Sequence, residues 1–278
     1  RLLFCAAQAD GPVTIEMNST SPLSDDILTT AFVIKALGAD VRKEDGRFTV
    51  TPSNVAPKAP IFDCRESGST LRFLLPVAAA HCDEPSFTGS GRLPERPVED
   101  LLNVLKARGI SVSADKLPFS FTGRLQSGAF ELPGNVSSQY ITGLLLALPA
   151  LDGDSEIRLT SPLQSASYVN ITLHALSRFG IRTSILPRGY LVPGNQTFQS
   201  PGTIVADVRQ LHTVSQEVMS HFEQYVRELG DARRRDEHFE QSTASLLEQM
   251  QQHDFARNHV FYIDGFPDFT RQHMAILE

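Results

Sequence analysis

The chain has 278 residues, of which 41% are hydrophobic and 21% are charged, and its formal net charge is −7. This composition is typical of a folded protein of one or two domains and excludes a mainly disordered chain. The longest apolar run, residues 144–151, has about half the length of a membrane helix and contains Pro149. The acidic balance also argues against bulk binding of nucleic acid.

The three cysteines, Cys5, Cys64 and Cys82, are too few and too unevenly spaced for a disulfide framework or a metal knuckle. We therefore expect a reducing compartment and a cytoplasmic protein. The sequence begins at Arg1 without a methionine, and the apolar stretch that follows is too short for a signal peptide. We expect the natural N-terminus to lie further upstream.

A repeat of 71 residues organises the first three quarters of the chain. Gly38, Gly109 and Gly180 stand 71 residues apart, each between a helical pattern and an alternating one, and apolar helices starting near residues 1, 72 and 143 share that frame. Each unit is interpreted as a buried helix, a strand, an amphipathic helix that ends at the glycine, and two further strands. The sequence predicts one α/β domain over residues 1–205, with helices inside and sheets outside.

The repeat stops after this domain. The predicted fourth apolar helix near Val214 is absent from the sequence, and apolar residues at spacings of three and four instead indicate two helices separated at Gly230. Residues 259–264 form a short apolar segment typical of a strand. We expect residues 206–278 to be a helical tail of unrelated composition that packs on the domain or on a partner helix.

The first candidate for chemistry is the segment 63–72, where small residues precede an apolar helix and Arg72 lies one turn inside it. A helix start exposes backbone N–H groups to which an anion can bind. The alternative is simple capping of the helix by Ser67 or Ser69.

Three more loops resemble the first. Residues 89–97 place two arginines in a stretch rich in glycine and proline, which suits recognition of phosphate or carboxylate, although a solvated loop is the alternative. Residues 134–140 occupy the repeat frame of the first candidate, and residues 165–168 that of the second. A threefold repeat brings equivalent ends together, so we expect all four loops to line one mouth of the domain.

Taken in order, these motifs resemble the EPSP synthase family, the 3-phosphoshikimate 1-carboxyvinyltransferases. The similarity extends from residue 1 to about 205 and rests on the segments 66–72, 93–97, 133–140, 165–173, 193–196 and 200–202. It implies a protein of two similar domains, each made of three βαβαββ units, with one of the two domains present here. It also implies carboxyvinyl transfer from phosphoenolpyruvate to the 5-hydroxyl of shikimate 3-phosphate, in aromatic amino acid biosynthesis, without a metal or other cofactor.

The resemblance also assigns ligand contacts. It implies that shikimate 3-phosphate binds Arg1, Ser137, Ser138, Gln139, Ser165 and Tyr168, and that phosphoenolpyruvate binds Gly68, Ser69, Arg96 and Gln139. The general acid and base belong to the family's second domain, which residues 206–278 do not resemble. We therefore expect an incomplete enzyme with no measurable turnover by itself. The alternative is a noncatalytic fragment or chimera whose tail is an interaction element or a piece of a DNA helicase-nuclease subunit.

Two other resemblances are weaker. UDP-N-acetylglucosamine enolpyruvyl transferases share the architecture but carry a reactive cysteine where this chain has Gly91. Residues 263–266, Ile-Asp-Gly-Phe, resemble a segment of AddB-type helicase-nuclease subunits, with a plain buried strand as the alternative. The basic run 233–235 is flanked by acidic residues, which favours a solvated helix connection over a nucleic-acid site.

Overall fold

The computed structural model describes residues 1–17, 23–44, 46–53, 55, 57–163 and 165–206, so the predicted helices and strand of the tail lie outside the described residues. The α-helices are α1 (Leu2–Ala7), α2 (Asp25–Ala36), α3 (Gly68–His81), α4 (Glu99–Lys106), α5 (Ser138–Ala147) and α6 (Ala166–Arg178). The strands are β1 (Val13–Met17), β2 (Asp40–Glu44), β3 (Arg47–Thr51), β4 (Ile61–Asp63), β5 (Ser86–Thr88), β6 (Ile110–Val112), β7 (Phe119–Gly123), β8 (Ala129–Leu132), β9 (Ser155–Leu159), β10 (Ser184–Leu186), β11 (Gly189–Val192) and β12 (Thr203–Ala206).

The strands form three four-stranded sheets of the same topology. Their orders are β12-β1-β3-β2, β4-β5-β7-β6 and β8-β9-β11-β10. In each sheet the first pair is parallel and the other two pairs are antiparallel. The predicted repeat of three βαβαββ units is therefore confirmed.

Strand β12 completes the sheet of the first unit. It pairs in parallel with β1, with Thr203 opposite Thr14, and so takes the place that β4 and β8 hold in the other two sheets. The first unit thus takes its first strand from the end of the domain. The sequence pattern predicted the three units but not the pairing of β12 with β1.

The apolar helices α1, α3 and α5 form the centre of the domain. Leu3, Leu74 and Leu145 belong to one continuous core, and the rings of Phe4 and Phe73 meet edge to face with centroids 6.2 Å apart. Helix α5 is buried on nearly all sides, whereas strands such as β3 and β4 alternate between buried and more exposed residues. The helices are therefore inside and the sheets outside, as predicted.

The three repeat glycines adopt the backbone conformation that their positions require. The φ angles of Gly38, Gly109 and Gly180 are 109°, 99° and 72°. A side chain strains the backbone in this region, so glycine lets each helix end and the chain turn back into the next strand.

Helix α5 has a glycine, where the other two units have an arginine, at a point of close contact with α3. Gly143 stands in the frame of Arg1 and Arg72, and a Cβ added there would lie only 2.4 Å from the carbonyl oxygen of Arg72. Pro76, four residues further along α3, has no N–H to offer that oxygen. The absence of a side chain at residue 143 therefore lets the two central helices pack closely.

Within the described part of the chain, no helix has both the length and the apolar character needed to cross a bilayer.

Candidate functional site

The N-terminus of α3 forms the first part of the site. Ser67 precedes the helix in an extended conformation, and its hydroxyl accepts a hydrogen bond from the backbone N–H of Thr70 at 3.3 Å. The capping role considered for Ser67 is thus observed. The hydroxyl of Ser69 lies 3.4 Å from that of Ser67 in the first turn. This turn can still bind an anion, because helix N-termini combine unpaired N–H groups with the positive end of the helix dipole.

Two arginines converge on Gly68, the first residue of α3. A Cβ added at Gly68 would lie 2.9 Å from Nη1 of Arg72 and 2.9 Å from Nη1 of Arg96. Arg72 comes from the helix itself, whereas Arg96 follows the short turn formed by Leu93–Glu95. Both cations reach this point only because residue 68 has no side chain.

The guanidinium of Arg96 acts electrostatically on that of Arg72. Burial lowers the pKa of Arg72, and the neighbouring Arg96 lowers it further, while Tyr140 opposes both effects. Like charges held this close favour a bound anion, since a phosphate or carboxylate compensates both at once. The arrangement is therefore suited to an anionic ligand at the N-terminus of α3.

The N-terminus of α5 forms the second part of the site. Ser137 caps the helix, and its hydroxyl accepts the backbone N–H of Gln139 at 3.2 Å. Ser138 and the side chain of Gln139 are half-buried in the first turn. The Oε1 atom of Gln139 accepts a hydrogen bond from Nη1 of Arg72 at 2.9 Å. This bond joins the helix start to the arginine pair.

The third part of the site lies at the start of α6. Nε of Arg1 donates to the hydroxyl of Thr172 at 2.8 Å, and Nη2 donates to the carbonyl of Tyr168 at 3.2 Å. Burial lowers the pKa of the Arg1 side chain to about 10, which leaves it charged at neutral pH. Ser165 precedes α6 with a φ of 61° and forms no side-chain cap bond. A serine in this strained conformation whose hydroxyl does not cap the helix fits a ligand-binding role.

Two contacts connect this third part with the others. The hydroxyls of Thr142 and Thr172 lie 2.9 Å apart and link α5 to α6. The guanidinium of Arg1 lies over the ring of Phe73, the neighbour of Arg72, at 5.2 Å from the centroid. The structure therefore connects all four predicted loops, and the ligand assigned to each residue stays a prediction.

The sequence did not predict the hydrogen bonds that hold the loops together. Nη2 of Arg72 and the hydroxyl of Tyr140 both donate to the carbonyl oxygen of Pro97, at 3.0 and 2.9 Å. Burial raises the pKa of Tyr140, so the phenol remains a donor. Arg72 was predicted to bind an anion but was given no ligand. Its position 71 residues after Arg1 was the signal that marks it as an equivalent of a predicted site residue.

A side chain at Gly91, in the loop near Arg96, would force the exposed side chain of Glu66 to move and would strain the backbone. A Cβ at that position would collide with the carboxylate of Glu66, and the φ of Gly91 is 56°. The cysteines Cys5, Cys64 and Cys82 are all buried, and burial raises the pKa of each to about 12. No thiolate nucleophile therefore forms at neutral pH among these three.

A three-repeat α/β domain in which two arginines meet at a helix start is suited to binding anionic small molecules. A family model described as EPSP synthase (3-phosphoshikimate 1-carboxyvinyltransferase) matches residues 1–210. The chain belongs to the EPSP synthase family.

Curated relatives match the same part of the chain. The 3-phosphoshikimate 1-carboxyvinyltransferase of Clostridium kluyveri is 40% identical over 203 residues, which cover 72% of this chain and 47% of the relative. The one of Methanocorpusculum labreanum is 37% identical over 183 residues, covering 64% and 43%. The chain thus spans about half the length of the curated relatives it matches.

Solved structures agree on the fold. The EPSP synthase of Acinetobacter baumannii superposes with a TM-score of 0.61 at 20% identity, over 73% of this chain and 46% of that one. The enolpyruvyl transferase NikO of Streptomyces tendae gives a TM-score of 0.51 at 20% identity, over 73% and 48%. At this identity the likeness shows the architecture alone.

Proposed function

We propose that residues 1–206 form the half of an enolpyruvyl transferase that binds shikimate 3-phosphate and one side of phosphoenolpyruvate. The curated relatives' name describes carboxyvinyl transfer to 3-phosphoshikimate. The proposed reaction is transfer of the carboxyvinyl group of phosphoenolpyruvate to the 5-hydroxyl of shikimate 3-phosphate, as the family resemblance implies. The end of the family match at residue 210 supports a domain boundary near residue 205.

The observation that carries this proposal is the convergence of Arg72 and Arg96 on Gly68, with Gln139 bonded to the same arginine. Phosphoenolpyruvate carries a phosphate and a carboxylate, and paired guanidiniums at a helix start bind such groups well. Gln139 also lies in the first turn of α5, whose N-terminal serines are assigned to shikimate 3-phosphate. One amide thus adjoins both proposed ligand positions.

In the proposed reaction a proton adds to the methylene carbon of phosphoenolpyruvate, and the 5-hydroxyl, losing its own proton, adds to the neighbouring carbon that carries the phosphate. Inorganic phosphate then leaves together with a proton from the new methyl group, which restores the double bond. The contribution of the described residues is to hold two anions against each other and to compensate the charge of the departing phosphate. Arginines, hydroxyls and an amide suit that task. Proton transfer is assigned to the family's second domain, so this half alone is expected to bind but not to turn over.

The direct test is calorimetry of shikimate 3-phosphate binding to the 278-residue chain. Ser138→Ala and Gln139→Ala should each weaken binding by about 1.5–3 kcal/mol, the contribution of one hydrogen bond to a charged group. Ser111→Ala, at an exposed position of β6, is the matched control and should bind normally. Unchanged affinity in both site variants would refute the assignment.

A phosphate-release assay with both substrates tests whether the chain catalyses the reaction by itself. The chain should release no phosphate alone and should gain activity when a second domain of the family is added in trans. Steady release by the chain alone, lost in Arg96→Ala, would show that residues 206–278 supply the missing groups.

A further inference from the structure

The orientation of the Gln139 side-chain amide follows from its hydrogen bond to Arg72. Its Oε1 lies 2.9 Å from Nη1 of Arg72. Arginine has donors only, so the atom facing it must be the acceptor oxygen and not the amide nitrogen. The Nε2 atom, with its two N–H donors, is consequently the end left for other partners.

Arg72 is itself held in place from two directions. Its Nη2 donates to the carbonyl of Pro97, which also accepts the hydroxyl of Tyr140. The guanidinium carbon lies 5.8 Å from the centroid of the Tyr140 ring. Because Pro97 follows Arg96 directly, the same contacts hold the loop that carries the second arginine. One guanidinium therefore links the start of α5 to the Arg96 loop.

We propose that Arg72 is a positioning residue that orients Gln139 with its N–H donors toward the ligand. It also holds the loop of Arg96 in a fixed position relative to α5. This inference rests on the proposed function, since it assigns Gln139 a donor role toward substrate oxygens. Arg72 acts here through its neighbours, using the planar fork of its two terminal nitrogens.

The two terminal nitrogens of Arg72 allow a positioning role to be distinguished from a purely electrostatic one. Lysine keeps the charge but offers a single nitrogen, which cannot bond Gln139 and the Pro97 carbonyl in the same planar geometry. If Arg72 served only as a cation for the ligand, Arg72→Lys would leave Gln139 as ordered as before. The Nε atom of Arg72 is buried and has no hydrogen-bond partner among the described residues, so the two terminal nitrogens make its hydrogen bonds.

The test is ¹⁵N relaxation of side-chain amides in the 278-residue chain labelled on glutamine, without any ligand. Gln8 is the internal control, because its Nε2 donates to the carbonyl of Phe4 and its Oε1 lies 2.8 Å from Nε2 of His81. Both amides should be ordered in the parent. In Arg72→Lys and in Arg72→Met the order parameter of Gln139 should fall below about 0.6 while that of Gln8 stays unchanged.

Tyr140→Phe extends the test with a milder change. It removes one donor to Pro97 but keeps both bonds of Arg72, so Gln139 should remain ordered. A mobile Gln139 in the parent, or an ordered one in Arg72→Lys, would overturn the proposal. If the arginine variants also lower the order parameter of Gln8, that result would indicate a general loss of structure. In that case a mobile Gln139 in the parent or in Tyr140→Phe would still contradict the proposal.

Gln139→Glu tests the donor role separately. The carboxylate still accepts from Arg72, so the melting temperature should be kept, but an oxygen replaces the outward N–H donors. Affinity for phosphoenolpyruvate should fall about tenfold or more. Retained affinity would overturn the donor role. If the parent binds neither substrate, the proposed function fails, while the order parameters still decide whether Arg72 orients Gln139.

Discussion

Arg72 and Arg96 approach each other across Gly68, with one terminal nitrogen of each lying 2.9 Å from the place where a Cβ would stand. Arg72 comes from the central helix α3 and is half-buried, whereas Arg96 comes from an exposed loop. Two cations from different elements thus meet at one helix N-terminus. Anion binding should relieve their repulsion and stabilise the fold.

The first prediction concerns stabilisation by inorganic phosphate. A ligand that binds only the folded state at 100 times its Kd stabilises it by about 2.7 kcal/mol. Phosphate should therefore raise the melting temperature of the parent, and Arg96→Ala should abolish the increase. Arg92→Ala, another exposed arginine of the same loop, is the control and should keep it. An equal increase in all three proteins would mean that phosphate acts elsewhere.

The second prediction concerns Gly68→Ala. The added methyl group would stand 2.9 Å from both guanidinium groups and must push them apart. Since these are the ends of flexible side chains, the fold should tolerate the change with a melting temperature near that of the parent. Affinity for phosphoenolpyruvate, measured by calorimetry, should drop about tenfold or more, the equivalent of one hydrogen bond to a charged group. Unaltered affinity would contradict the geometry.

Gly143→Ala should act on stability instead. Its Cβ would meet the backbone oxygen of Arg72 at 2.4 Å, so the central helices must move apart. Overpacking of this kind costs about 1–3 kcal/mol. Each kcal/mol should lower the melting temperature by about 2–4 °C for a domain of this size. Gly11→Ala is the control, because its Cβ would lie at an ordinary 3.4 Å from Ser200. Equal melting temperatures for both variants would refute the prediction.

The fourth prediction is a pH dependence that involves His81. This side chain is half-buried at the end of α3 against Gln8, and desolvation lowers its pKa below the ordinary 6.5. The unfolded chain then binds more protons than the folded one, so stability rises with pH across the window below 6.5 and is complete above it. Chemical denaturation at several pH values should show a steeper loss toward acid in the parent than in His81→Gln. Identical profiles would mean that His81 does not contribute.

Much of the fold was predictable because the period of 71 residues repeats the same local signals three times. The repeat glycines and the apolar central helices were read from the sequence, and the structure places them as expected. The pairing of β1 with β12 was not predicted, since parallel strands at opposite ends of a domain leave no local pattern. The bonds of Arg72 depend on the packing of three loops, which spacing alone does not reveal.

Prediction of the site from the sequence has the same limit for single residues. Motif resemblance indicated Arg96, Gln139 and Arg1, because they stand in recognisable segments. It did not identify Tyr140 or the Pro97 carbonyl as the groups that hold Arg72, although both lie inside the quoted motifs. Hydrogen bonds to backbone carbonyls depend on conformation and carry little residue-type information.

The position of β12 has a consequence for how the domain assembles. Because β1 pairs with residues nearly 190 positions later, its sheet cannot close until the last strand of the domain has left the ribosome. The second and third sheets contain only strands that are close in sequence, so they can form earlier during synthesis. Until β12 arrives, one edge of β1 is unpaired and open to pairing with another chain. Folding of the first unit should therefore be the slow, aggregation-prone step, and the pairing of β12 should complete it.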